Sequence, residues 1–324
     1  MKVALLASGP FAIPVLDALH QGGVDFELHR VVSRPDRPAG RGRKPRPNPV
    51  KVRALELGVD CRTPESVNTP EFREEMGAIG TDVFIVADYG EILREEVLSL
   101  PPLGSFNLHA SLLPAYRGAA PVVHAILGGE EETGVTLFRL ERSLDSGPVL
   151  ACSRTAIDPA ETAGELEARL SELSAALLLE QLPVIAAGNA AGEVQDEALA
   201  TLAPKLKKSD GLIDWDLPAS AACDLVRAMN PWPLAHGFLC PLQGKTKRVS
   251  ILRSTPGGDA AGGPPPGTVH EVDAEGFSVS CGRGALRVLE LQREGKPAMD
   301  VAAFMRGNPI EPGDQFKASV EVRR

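Results

Sequence analysis

As far as about Gly188 the chain alternates between two hydrophobic rhythms. Short apolar runs bounded by turn residues lie at 1–7, 26–33, 82–87, 105–109, 134–140 and 149–155. Such runs predict strands. Between them, apolar residues recur at three- and four-residue spacing over 12–20, 49–57, 69–76, 92–98 and 121–127, and over an Ala/Leu/Glu-rich stretch at 162–187. That spacing predicts helices. Pro14 falls in the first turn of its segment, where proline is tolerated. Alternating strands and helices imply a mostly parallel, Rossmann-like α/β sheet covered on both faces. Ligands of such sheets sit beyond the C-terminal ends of the strands.

Beyond Gly188 the rhythm changes. Helical spacing fades, and five short strand-like runs appear: GFLCPL (237–242), KRVSILR (247–253), GTVHEV (267–272), GFSVSC (276–281) and ALRVLEL (285–291). They predict a smaller C-terminal β-barrel of OB-like type. The expected domains are an α/β catalytic domain over 1–188, a connector over 189–207 and the barrel over 208–324. A chain of 324 residues exceeds what one core usually supports, which agrees with two domains. The low-complexity run TPGGDAAGGPPPG (255–267) is expected to be a mobile loop.

Composition narrows the class. Every apolar run is interrupted well short of the ~20 residues that cross a bilayer, so no membrane association is expected. The N-terminal run contains Pro10 and Pro14 and reads as strand, turn and helix rather than as a signal peptide. Five cysteines, an odd number without CxxC spacing, argue against a disulfide framework and a cysteine-based metal site. They point to the reducing cytoplasm. No coiled-coil pattern appears, and a monomer is expected. Trp215 and Trp232 are expected to pack in the core or between domains. The net charge of −9 speaks against general nucleic-acid binding. Its distribution does not. Residues 34–53, RPDRPAGRGRKPRPNPVKVR, hold eight Lys/Arg and one Asp. Four prolines and two glycines between Pro35 and Pro47 exclude a helix or an inner strand there and predict a long basic loop.

The chemistry concentrates in SFNLHASLLPAYRGAAP (105–121). In a strand, residues two apart face the same way. Asn107 and His109 therefore share a face: a neutral amide donor beside an imidazole that titrates near neutrality. Such a pair can hold an oxyanion and move a proton. A second piece, SLDSG (143–147), places Asp145 between two expected strands. Each piece alone also fits a structural role, as a hydrogen-bonded Asn–His pair or a turn-forming Asp.

Taken together and in order, the run 105–121 and ETGVTLFRLERSLDSG (132–147) closely resemble the folate-dependent formyltransferases. The resemblance implies that Asn107, His109 and Asp145 form the catalytic set. It implies that Ser111, Leu112, Leu113 and Pro114 bind the folate co-substrate, and that no metal is used. Within the family, RPDRPAGRGRK (34–44), APKLKKSDGLIDW (203–215) and NPWPLA (230–235) are similar to segments of the members that formylate methionyl-tRNA. That implies transfer of the formyl group of 10-formyltetrahydrofolate to the α-amine of methionyl-initiator tRNA. Arg37, Arg41, Arg43 and Lys44, continued by Lys205 and Lys207, are then expected to meet the tRNA, with Arg41 foremost. The alternative is a formyltransferase for a small amine, such as glycinamide ribonucleotide or an amino sugar, which needs no basic loop. The chain departs from the family pattern in two places. Ala7-Ser8-Gly9-Pro10 replaces the usual Gly-Thr-Pro turn, and Asp88 replaces a small residue before Tyr89-Gly90.

Overall fold

A computed structural model describes all residues except 24, 40–43, 259–262 and 319–324. The chain divides into two compact units. One comprises Met1–Pro121, Glu132–Ala156 and Glu167–Pro204; the other comprises Val122–Glu131, Ile157–Leu166 and Lys205–Arg324.

The strands of the first unit are β1 (Lys2–Ala7), β2 (Glu27–Val32), β3 (Arg37–Ala39), β4 (Lys44–Arg46), β5 (Cys61–Arg62), β6 (Val83–Ala87), β7 (Ser105–His109), β8 (Arg117–Gly118), β9 (Glu132–Arg139), β10 (Val149–Ala156) and β11 (Leu202–Ala203); the predicted apolar runs became β1, β2, β6, β7, β9 and β10. Seven of these form one sheet in the order β10-β9-β7-β6-β1-β2-β5. The pairs among β5, β2, β1, β6 and β7 are parallel, and β9 and β10 add an antiparallel edge. The order reverses at β1, so the C-terminal ends of β1, β6 and β7 flank the switch point where such sheets bind ligands.

Burial explains the near-continuous hydrophobicity of the central strands. On one face Ala4, Leu6, Phe84 and Val86 form a core with Phe72 and Met76 of a helix at Pro70–Ile79 and with Val97 and Leu98 of a short helix at Glu95–Leu98. Val3, Leu5 and Ile85 alternate with them and are fully buried as well. A long helix, Ala163–Ala186, begins with a reciprocal cap: the Thr162 hydroxyl accepts from the Glu165 amide, and the Glu165 carboxylate accepts from the Thr162 amide.

The basic stretch is not wholly irregular. β3 and β4 pair as a two-stranded ribbon, with Arg37 opposite Arg46 and Pro38 opposite Pro45. Proline is tolerated because each strand of a ribbon has a free edge.

In the second unit the five predicted strands are present as β12 (Ala235–Cys240), β13 (Lys247–Pro256), β14 (Val269–Asp273), β15 (Gly276–Ser280) and β16 (Ala285–Arg293). Two short strands join them, β17 (Ala298–Asp300) and β18 (Gln315–Lys317). All the pairs are antiparallel, in the order β14-β15-β16-β13-β12-β18 with β17 on β16. Backbone bonds between Gly267 and Phe316 and between Val269 and Asp314 join the two outer strands, so the sheet curls into a small barrel. Helices at Ala219–Ala228 and Val301–Gly307, which the sequence reading did not place, supply Val226 and Phe304 to its core. Trp215 is buried there, as expected. Trp232 is not: it is 50% exposed. Thr255 and Pro256, expected in a loop, end β13, while 259–262 of the same run lie outside the described residues.

Candidate active site

β7 is central in its sheet, paired on one side with β6 and on the other with β9. Its last three residues, Asn107, Leu108 and His109, reach the ligand-facing end. Asn107 is half-buried, and its side-chain amide makes no hydrogen bond to another described residue. His109 is 6% exposed and stands edge-on to Phe138. Its Nε2 lies 2.9 Å from the Tyr116 carbonyl oxygen, which can only accept. Nε2 therefore carries the proton, and the neutral ring keeps its lone pair at Nδ1. That atom faces Asp145 Oδ2 at 3.8 Å, too long for a direct hydrogen bond. The Tyr116 carbonyl is the direct hydrogen-bond partner that orients the ring.

Asp145 occupies the turn between β9 and β10 in a left-handed conformation, with φ 48°. Asp tolerates that region better than most residues. Gly147, two residues on, has no alternative: a Cβ there would lie 1.9 Å from the Arg139 carbonyl oxygen. The Asp145 carboxylate accepts from the Gly118 amide at 2.9 Å.

The segment 111–114 runs directly from His109. Ser111 is fully buried, and its polar groups are engaged within the protein. Its hydroxyl donates to the Ala115 carbonyl, and its own carbonyl accepts from Thr136 Oγ1, which in turn accepts from the Leu113 amide. The Leu113–Pro114 peptide is cis.

Segment 189–204, expected as a connector, is bonded into this unit. β11 pairs with β8, and Thr201 receives the Tyr116 amide on its hydroxyl. Gln195 donates to the carbonyls of both Asp145 and Gly147, at 2.9 and 2.8 Å. Its own oxygen accepts from Arg117 Nε and Nη2, and Arg117 also holds Glu197 through two bonds. The sequence reading missed Gln195 and Glu197, which carry no periodic or motif signal. Arg117 lay in plain sight within the 105–121 run.

At the ends of β1 and β6 the two departures meet. The Ser8 and Gly9 amides both donate to the Asp88 carbonyl, and the Asp88 carboxyl occupies the place a Gly9 side chain would take. Asp88 keeps exposed surface, but protein packed around its carboxyl raises its pKa. Glu167 is likewise raised, by burial first and by the charge of Asp88 second.

The basic segment is sorted by its partners. Arg34 pairs with Glu91, Lys51 with Asp36, and Arg53 with Asp17 and Glu56. Arg37 and Arg46, on the ribbon, are exposed and form no ion pair with another described residue. Arg41, Arg43 and the Lys44 side chain lie outside the described residues. Lys205 and Lys207 are exposed in the second unit. Among the described residues no His/Cys/Asp/Glu cluster could hold a metal, and no helix is long and apolar enough to cross a membrane.

Known proteins are similar to this chain along most of its length. The Formyl transferase family model matches residues 1–182, and that of the Formyl transferase, C-terminal domain matches residues 205–309. The methionyl-tRNA formyltransferase of Methylococcus capsulatus is 42% identical over 311 residues, which is 96% of this chain and 98% of the relative. That of Moorella thermoacetica is 40% identical over 314 residues, 97% and 98% of the two chains. The chain belongs to the methionyl-tRNA formyltransferase family. The fold is also shared with more distant solved structures. An N-formyltransferase from Helicobacter canadensis, solved with folinic acid and dTDP-3-aminofucose, aligns with a TM-score of 0.65 at 17% identity, over 89% of this chain and 99% of that one.

Proposed function

We propose that the chain transfers the formyl group of 10-formyltetrahydrofolate to the α-amine of methionyl-initiator tRNA, with Asn107, His109 and Asp145 as its catalytic residues. One observation carries this reading. An unengaged amide stands beside a histidine whose basic nitrogen faces a carboxylate, at the ligand-facing end of β7, in a chain of this family.

A model α-amine has a pKa of ~8, so a useful fraction of the acceptor is neutral near pH 7. As its nitrogen bonds to the formyl carbon, the carbonyl electrons move onto oxygen. Asn107 donates a hydrogen bond to that oxygen; losing such a donor costs about 3 kcal/mol. His109 takes the amine proton at Nδ1. The imidazolium so formed faces the Asp145 carboxylate at Nδ1 and the Tyr116 carbonyl at Nε2. The proton then passes to N10 of the leaving tetrahydrofolate as the carbon–nitrogen bond breaks. Ser111–Pro114 borders the folate with its backbone and leucine side chains, since the Ser111 hydroxyl is engaged within the loop.

Arg37, Arg41, Arg43 and Lys44 meet the acceptor end of the tRNA; Lys205 and Lys207, in the connector that leads from the catalytic domain (1–188) to the OB-like domain (208–324), add further contacts to it. The enzyme acts in the cytoplasm as a monomer. Labelled formyl transfer to methionylated initiator tRNA tests the catalytic set. Asn107→Ala is expected to lose about 10²–10³ in kcat while still binding the formyl donor. Unchanged kcat would remove Asn107 from the reaction.

A further inference from the structure

Asp145 is the least regular of the three residues placed at the reaction centre. It sits on no strand or helix, and its backbone is left-handed at φ 48°. Yet its position is closely determined from outside its own turn. The Gly118 amide holds the carboxylate. The backbone is held by the Gln195 side chain, whose amide nitrogen donates one hydrogen to the Asp145 carbonyl and the other to the Gly147 carbonyl. Both hydrogens are used, so the orientation of the amide is settled. Its oxygen points to Arg117, which donates from Nε and Nη2 at 3.1 and 2.8 Å. Gln195 is 7% exposed and Arg117 6% exposed. A buried chain of this kind is costly to leave half-made and therefore rigid when complete. Arg117 is clamped in turn by the Glu197 carboxylate at 2.9 and 2.8 Å. Arg117 and Gly118 are neighbours, so β8 anchors the backbone of Asp145 through Gln195 and its carboxylate through the Gly118 amide.

We propose that Gln195, oriented by Arg117 and Glu197, is a positioning residue for formyl transfer: it holds Asp145 in its left-handed turn and so sets the carboxylate at its distance from His109 Nδ1. This rests on the catalytic reading of Asp145 given above. The group touches no reacting atom. It acts by removing freedom from one that does, and a misplacement of about 1 Å at a reacting group costs up to about 10²-fold in rate.

Gln195→Glu tests this with little change of shape. Its carboxylate still accepts from Arg117, but it has no hydrogens for the carbonyls of Asp145 and Gly147. Steady-state kinetics are measured in the wild-type and Asp145→Ala backgrounds, with folding checked by near-ultraviolet circular dichroism. The expected result is a kcat loss of about 10- to 10²-fold, with KM for the formyl donor and for methionyl-tRNA changed less than about twofold. In the Asp145→Ala background the same substitution should add no further loss. Unchanged kcat, or an equal loss in both backgrounds, overturns the proposal, because the latter marks a general structural role. If Asp145→Ala is itself as active as the wild type, the catalytic reading of Asp145 falls, and the role of Gln195 with it. If Gln195→Glu does not fold, Gln195→Met removes the same two donors without adding charge, and the same outcomes apply.

Discussion

Gly9 and Asp88 show how two departures from a family pattern become one local solution. The Asp88 carboxyl lies where a Gly9 side chain would be, and the Asp88 carbonyl receives the Ser8 and Gly9 amides. Gly9→Ala is therefore expected to push the Asp88 side chain aside, detected as a shift in the Asp88 carboxyl resonance. The raised pKa of Asp88 has its own consequence for stability. A carboxyl whose folded pKa exceeds its unfolded value of ~3.9 binds its proton more tightly in the native state. That stability is present at low pH and is lost as pH rises through the folded pKa. Glu167, raised in part by the charge of Asp88, behaves alike. Asp88→Asn should thus stabilise the protein at pH 7 relative to its effect at pH 3, by less than about 1 kcal/mol because the group is partly screened by solvent. Urea midpoints at the two pH values measure the difference, and an equal effect at both would contradict it.

Elements were legible where burial imposed a period. The central strands of the sheet are apolar throughout because both faces are covered, and β7 shows its two-residue alternation in Asn107 and His109. The helix at Ala219–Ala228 was legible but went unread: Ala219, Ala222, Cys223 and Val226 stand at helical spacing, though three of the four are small. The Arg117–Gln195 hydrogen bonds were hidden: they span 78 positions, and no local pattern encodes them. At the start of the long helix, Glu165 has its pKa lowered to about 2, first by the Thr162 amide and then by Arg253. A lowered carboxyl pKa stabilises the fold above its unfolded value, and that contribution is lost as pH falls from ~4.3 toward the folded value. Glu165 is 49% exposed, so Glu165→Ala should cost less than about 1 kcal/mol at pH 7 and less again at pH 2, where the carboxyl is partly protonated; thermal melts at both values decide this. The ribbon of β3 and β4 makes a separate prediction. Arg37→Ala and Arg46→Ala together should weaken methionyl-tRNA binding and lower the salt slope by roughly 0.7–0.9 for each phosphate no longer neutralised, whereas Lys51→Ala, whose charge already pairs with Asp36, should do little.

At the scale of the whole molecule, the acidic excess and the ribbon are complementary. A net charge of −9 disfavours indiscriminate association with RNA, while partner carboxylates neutralise the flanks of the basic stretch and leave Arg37 and Arg46 exposed. The two units are also interleaved along the chain. Val122–Glu131 and Ile157–Leu166 belong to the second unit, and Val123 packs against its core. A fragment ending at Pro204 would leave these segments without that core, and it is expected to melt at a lower temperature and to bind a hydrophobic dye more strongly than the full chain. The most direct measurement of the central claim is transfer of a labelled formyl group from 10-formyltetrahydrofolate, offered methionylated initiator tRNA, methionylated elongator tRNA, glycinamide ribonucleotide and an amino sugar in parallel. The account predicts rapid transfer to the initiator tRNA, far slower transfer to the elongator and none to the small amines. Transfer to a small amine with the initiator tRNA left unformylated would contradict it.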